Sequence, residues 1–126
     1  MCNDFTARDL QRTDDQWARA KGFDGFAPVG PCIVSGIDPG TLRLRTYLNG
    51  ILKQDALTSL LIFDIPTLIE YISAAFTLEP GDVIATGTPA GVGAVQPGDV
   101  VEVRVDEIGV LRSRIVAATA RGTCPR

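Results

Sequence analysis

The residues best placed to do chemistry in this sequence lie at 78–93. Pro80-Gly81-Asp82 marks a turn there, and Val83-Ile84-Ala85 reads as a short buried strand. The stretch from Gly87 to Gly93 then places three glycines and a proline in seven residues. Such a loop lets backbone N–H groups and small hydroxyls approach an anion, because no Cβ holds the ligand away. Thr86 and Thr88 fall at its entrance, and Thr88 could bind a carboxylate. The alternative is a tight connection between two strands. No Gly-Lys-Ser/Thr follows, so the spacing does not fit a phosphate-binding P-loop. Lys21 is the second candidate, since Trp17 and Phe23 could hold its stem; its alternative is a solvated surface lysine. The chain has no histidine, so no imidazole base comes from it.

The elements that must position these groups are legible from spacing. Thr6 is placed to cap a short helix, with Asp9 completing a near capping box. Residues 12–26 mix polar side chains, glycines and aromatics without a period, which predicts a long ordered loop of the kind that often carries function. Residues 27–34 predict a strand entered through Pro28 and Pro31. Leu42, Leu44, Thr46 and Leu48 alternate with Arg43, Arg45 and Tyr47, so one strand face is apolar and the arginines face water. Asn49-Gly50 predicts a hairpin whose return begins at residues 51–54. Asp64 caps a helix over 65–76, with Pro66 in its first turn and Leu68, Ile69, Ile72, Ala75 and Phe76 forming an apolar stripe packed on the sheet. Val101, Val103 and Val105 alternate with charges, and Gly109 turns them into a second hairpin. The end of the chain, residues 118–126, reads as a frayed tail.

Composition bounds the rest. A chain of 126 residues with 45% apolar side chains is one domain at most, able to bury roughly two thirds of its unfolded surface. No apolar run approaches the ~20 residues of a membrane span, and the first residues lack a signal-peptide layout. A net charge of −3 spread along the chain leaves no basic stripe for nucleic acid. Three widely separated cysteines fit a reducing cytoplasm and no zinc motif.

Several ordered motifs together resemble the fumarylacetoacetate hydrolase family. They are Asn3-Asp4-Phe5-Thr6-Ala7-Arg8-Asp9-Leu10-Gln11, then Ala20-Lys21-Gly22-Phe23-Asp24, then Pro28-Val29-Gly30-Pro31, then residues 78–93. The match runs in order to about Val116. The resemblance implies a mixed α/β, β-rich fold with a rolled mixed β-sheet and one main amphipathic helix, usually in a homodimer. It implies an enzyme that uses Mg²⁺ or Mn²⁺ to hydrolyse, decarboxylate or isomerise 2-oxo or β-diketo carboxylic acids. Acylpyruvate, oxaloacetate and 2-hydroxyhepta-2,4-diene-1,7-dioate are substrates of that type. Carried over residue by residue, Asp4 matches a metal-binding carboxylate. Arg8 and Gln11 match side chains that reach the substrate's oxygens. Lys21 matches the catalytic lysine that stabilises an enolate or carboxylate, and Thr88 matches the threonine that binds a substrate carboxylate.

The sequence departs from the family at the metal. The family adds a Glu-x-Glu pair upstream of the aspartate, whereas Asp4 has three residues before it and none of Glu70, Glu79, Glu102 and Glu107 forms such a pair. Only one of three carboxylate ligands is therefore expected, in a chain that looks like the C-terminal two thirds of the catalytic domain and is expected, on its own, to bind metal weakly and to be weakly active. Asp4 is expected at a frayed terminus, exposed and unoriented. Residues 78–93 are expected to cross the middle of the fold, with Thr88 opening on one cavity with Asp4, Gln11 and Lys21. The alternative reading is a catalytically inactive remnant acting as a structural or dimerising protein.

Overall fold

The computed structural model describes residues 1–117; the tail expected at 118–126 lies outside them. Two short helices come first, α1 (Arg8–Thr13) and α2 (Ala18–Lys21). They are followed by strands β1 (Arg43–Leu48) and β2 (Ile51–Leu57), helix α3 (Ile65–Ala75), and strands β3 (Val100–Val105) and β4 (Gly109–Arg114). The strands form one sheet in the order β2-β1-β3-β4, with every described pair antiparallel. A β-rich fold with one main helix is what the sequence predicts.

Period-two patterning decides the two faces of the sheet. Leu42, Thr46, Val101, Val103, Val105 and Leu111 are buried, and Val103 is 2% exposed. The other face carries the predicted arginines, but they are paired rather than merely solvated. Arg43 donates twice to Asp55 at 2.7 Å, Arg45 reaches Asp106 at 2.7 Å, and Arg104 reaches Glu102 at 2.6 Å while covering the Tyr47 ring at 4.4 Å.

The turns show why the strands stop where they do. Asn49 and Gly50 both adopt positive φ, at 51° and 80°, as a two-residue hairpin loop requires. The Asn49 side chain also donates to Asp99 at 2.8 Å and accepts from the Val100 amide at 2.9 Å, fastening this hairpin to the start of β3. Both Pro-Gly-Asp turns use one device, a carboxylate accepting from an amide three residues upstream: Asp82 from Glu79 at 2.9 Å and Asp99 from Gln96 at 2.8 Å.

Several carboxylates lie below their ordinary titration range for the same reason. The Arg43 side chain lowers Asp55, Thr67 at the helix start lowers Asp64, and Asn49 lowers Asp99. A carboxylate depressed in the fold contributes stability above its unfolded pKa, and that contribution is lost as pH falls through the folded value. Thermal unfolding followed by circular dichroism should therefore show a midpoint that holds from neutral pH to about pH 5 and falls steadily below it. A midpoint that rises on acidification would refute the assignment.

Five local expectations need correction. Thr6 does not cap α1, whose N-cap is Ala7 without a side-chain bond; the Thr6 hydroxyl is engaged with Asp4 and Lys21 instead. The loop over 12–26 is interrupted by α2. Residues 27–34 form no strand beyond one Cys2–Val29 bridge, because their partner is the short segment at the chain start. Residues 83–85 are also not a strand, and Val83 is 66% exposed, since no described strand pairs with them. Finally, α3 starts as predicted, with Asp64 accepting from the Thr67 amide at 2.9 Å and Pro66 in the first turn, but it has no fully buried residue. Ile65, Leu68 and Ile72 are half-buried, but Ile69, Ala75 and Phe76 of the predicted stripe are exposed, and the helix is not packed on the described sheet. No described helix is long and apolar enough to cross a membrane.

Candidate functional site

The chain start is held in a ribbon. Gly30 donates to Met1 O at 3.0 Å, Asn3 to Pro28 O at 3.1 Å, and Phe5 to Phe26 O at 2.9 Å. The bonded residues alternate, so the side chains of Asp4 and Thr6, two residues apart, lie on the same face of the ribbon. One residue further, the Ala7 amide donates to Ala20 O at 2.9 Å, and Ala20 is completely buried. That contact anchors the end of α2 and brings Lys21 over the ribbon. Its ammonium pairs with the Asp4 carboxylate and donates to Thr6 Oγ1 at 3.1 Å, while Thr6 Oγ1 donates to Asp4 O at 3.2 Å.

Asp4 is therefore exposed, as expected, but it is not unoriented: the ribbon and Lys21 fix it. The aromatic support suggested for Lys21 is not among the described contacts: Phe23 packs on Phe26 with ring centroids 5.2 Å apart, and the ammonium is held by Asp4 and Thr6. Thr6 is the residue that the sequence reading missed here. Its cap-like position concealed a period-two relation to Asp4, which becomes visible only once the ribbon is known.

Arg8 and Gln11 lie on successive turns of α1, and Arg8 Nη1 donates to Gln11 Oε1 at 2.7 Å. Among the described residues that is the one side-chain bond of Arg8, and a guanidinium with further donors beside a carboxamide suits recognition of substrate oxygens.

Residues 78–93 do not cross the middle of the sheet. They carry no regular element and seat on its edge strand, β2. Gln54 Nε2 donates to Thr88 Oγ1 at 2.8 Å and to Pro89 O at 2.9 Å. Gly91 lies against β2 with φ +106°, and a Cβ there would run into the Lys53 carbonyl, 2.9 Å from its carbon. Among the described residues, Thr88 makes no hydrogen bond to Asp4, Gln11 or Lys21. Two surface cavities, of about 350 and 330 Å³, are lined by Ile72, Phe76 and residues 82–85, and by Asp38, Thr58 and Asp64 with their neighbours. Neither includes Asp4, Lys21 or Thr88. The structure thus gathers Asp4, Thr6 and Lys21 in one cluster, Arg8 and Gln11 in a second, and Thr88 with Gln54 in a third.

A hard divalent cation takes six oxygen ligands in near-octahedral geometry. Among the described residues no three His, Cys, Asp or Glu side chains converge on one point. The carboxylate of Asp4 is already paired with an ammonium. These residues on their own do not fit a Mg²⁺ or Mn²⁺ site.

The family profile described as "Fumarylacetoacetate (FAA) hydrolase C-terminal" matches residues 1–116. The chain is similar to the crystal structure of 2-hydroxyhepta-2,4-diene-1,7-dioate isomerase from Mycobacterium marinum, with 54% identity and a TM-score of 0.89, covering 91% of this chain and 46% of that one. It is 47% identical over 120 residues to a 4-hydroxyphenylacetate degradation bifunctional isomerase/decarboxylase of Salmonella dublin, covering 92% of this chain and 28% of the relative. It is 44% identical over 125 residues to oxaloacetate tautomerase YisK of Bacillus subtilis, covering 91% and 42%. The chain spans about half the length of curated relatives that it matches.

Proposed function

Because the chain belongs to the fumarylacetoacetate hydrolase family, whose members similar to it include isomerases, a decarboxylase and a tautomerase, we propose that it acts on a small 2-oxo or β-diketo carboxylic acid. The reaction is a C–C hydrolysis, a decarboxylation or an isomerisation. All three develop negative charge on an oxygen next to a carboxylate, so they ask the same of a site: fixed positive potential and oriented donors.

The observation that carries this reading is the Lys21 cluster. An ammonium held by Asp4 and Thr6 needs no reorganisation to meet developing enolate charge, which is where pre-set electrostatics help most. Arg8 and Gln11 supply donors for substrate oxygens, and Thr88 supplies a hydroxyl for a carboxylate. A Mg²⁺ or Mn²⁺ ion, if bound, would supply a Lewis acid, and Asp4 is the one carboxylate of this cluster that could ligate it, with the remaining oxygen donors coming from outside the described residues. Among the described residues, Cys2 and Cys32 form no disulfide, which is compatible with the cytoplasmic location proposed.

One observation favours the second reading, a dimerising or structural protein. Ile62 and Ile33 are 92% and 99% exposed, and Leu60, Phe63 and Phe76 are also largely uncovered. Calorimetric titration of Mg²⁺ with and without oxalate, an enolate mimic, separates the two. With one carboxylate available, Mg²⁺ alone should bind in the millimolar range or weaker. Oxalate, bringing two oxygens of its own, should tighten binding, and Asp4→Asn should remove the gain. Heats independent of both oxalate and Asp4 would favour the structural reading.

A further inference from the structure

Gln54 is absent from every functional pattern in the sequence, yet it makes two of the hydrogen bonds that hold the glycine loop. Its position comes from an irregularity in the sheet. Thr46 of β1 pairs with Gln54, but Tyr47 pairs with Leu52, so Lys53 is an extra residue in β2. A bulge of this kind bends an edge strand and re-aims the side chains around it. Here it turns the Lys53 carbonyl toward Gly91 and leaves the half-buried Gln54 carboxamide facing Thr88 and Pro89.

The direction of these bonds is fixed by chemistry. The Pro89 carbonyl can only accept, so the group facing it must be the Gln54 NH₂ rather than its oxygen. The second hydrogen of that NH₂ goes to Thr88 Oγ1, which therefore acts as an acceptor toward Gln54. A hydroxyl that accepts from one side keeps its own hydrogen for another partner. We infer that Gln54 is a positioning residue: it commits the Thr88 hydroxyl to donate outward and so makes the glycine loop a receptor for a substrate carboxylate. This rests on the proposed carboxylate role of Thr88 and adds the residue that sets its polarity. Donation from Gln54 also strengthens the outward bond, because hydrogen-bonded chains polarise one another. An anion benefits most, since bonds to charged acceptors are about twice as strong as neutral ones.

The test is a double-mutant cycle on oxalate binding in the presence of Mg²⁺, using Thr88→Val, Gln54→Glu and the pair. Gln54→Glu keeps the shape but replaces the donor by an acceptor, so Thr88 turns its hydrogen inward. Thr88→Val and Gln54→Glu should each weaken oxalate by about tenfold or more. The double variant should be no weaker than Thr88→Val alone, because no hydroxyl is left to orient. If the two effects instead multiply, Gln54 merely anchors the loop and the inference fails while the role of Thr88 stands. If Thr88→Val binds oxalate like the unsubstituted chain, or that chain binds none, the carboxylate reading itself fails and the donor role with it.

Discussion

Gly91→Ala is expected to unseat the glycine loop and lower the unfolding free energy by about 3 kcal/mol. Two separate penalties meet at this position. The backbone has φ +106°, a region that L side chains rarely adopt, and holding alanine there costs about 1–2 kcal/mol. The added methyl also points into the Lys53 carbonyl with Gln54 Cγ only 3.1 Å away. A clash with backbone cannot be relieved by a rotamer change, so either the edge strand moves or the loop lifts. Lifting forfeits both Gln54 bonds, each worth roughly 1 kcal/mol. Gly87→Ala is the control, because φ is +113° there but nothing lies within 4 Å of the added carbon. It should cost about 1–2 kcal/mol, the backbone penalty alone. Urea denaturation of both variants measures the difference. Equal losses would mean that the loop is not seated on β2, and the polarity argued for Gln54 and Thr88 would lose its support.

What the sequence could show follows from the range of the interactions involved. The hairpins, the Asp64 cap and the valine face of β3 are local: each depends on a few residues and a fixed period, and each is present. The strands predicted at 27–34 and 83–85 fail because a strand needs a neighbour, and apolar content alone does not reveal whether one pairs with it. The same limit applies to α3. Of its predicted stripe only Leu68 and Ile72 are half-buried while Ile69, Ala75 and Phe76 are exposed, because burial depends on what covers the helix and periodicity does not reveal that. The site divides likewise. Lys21 and Thr88 stood out by composition and motif, whereas Thr6 and Gln54 act through contacts 15 and 34 residues away along the chain. No spacing rule reaches that far. The link between Gln54 and Thr88 depends on a one-residue bulge at Lys53 that leaves no mark on the hydrophobic pattern.

Placed in a full-length protein of the family, Lys21→Met should lower turnover by roughly 100-fold or more while leaving the fold intact. The two halves of that expectation rest on different magnitudes. The Lys21–Asp4 pair is partly solvated, with the lysine side chain 30% and the aspartate 55% exposed. Such pairs contribute about 0–1 kcal/mol, so losing this one should barely move the melting temperature. Methionine keeps most of the aliphatic stem, and Asp4, left alone, can be hydrated. Charge developing in a reaction is another matter. Removing one pre-oriented electrostatic partner of developing charge costs about 2.7–4 kcal/mol of transition-state stabilisation once substrate covers the site, which is the expected loss in turnover. The kinetic parameters separate the possible roles. Equal falls in kcat and kcat/KM place Lys21 on charge that exists only in the transition state. A raised KM with kcat unchanged places it on the ground-state carboxylate, the role assigned to Thr88. Lys21→Arg should not rescue turnover, because a planar fork does not replace a compact ammonium seated between a carboxylate and a hydroxyl. Unchanged turnover together with a lowered melting temperature would make Lys21 a structural lysine, and the cluster with Asp4 and Thr6 a clasp for the chain start.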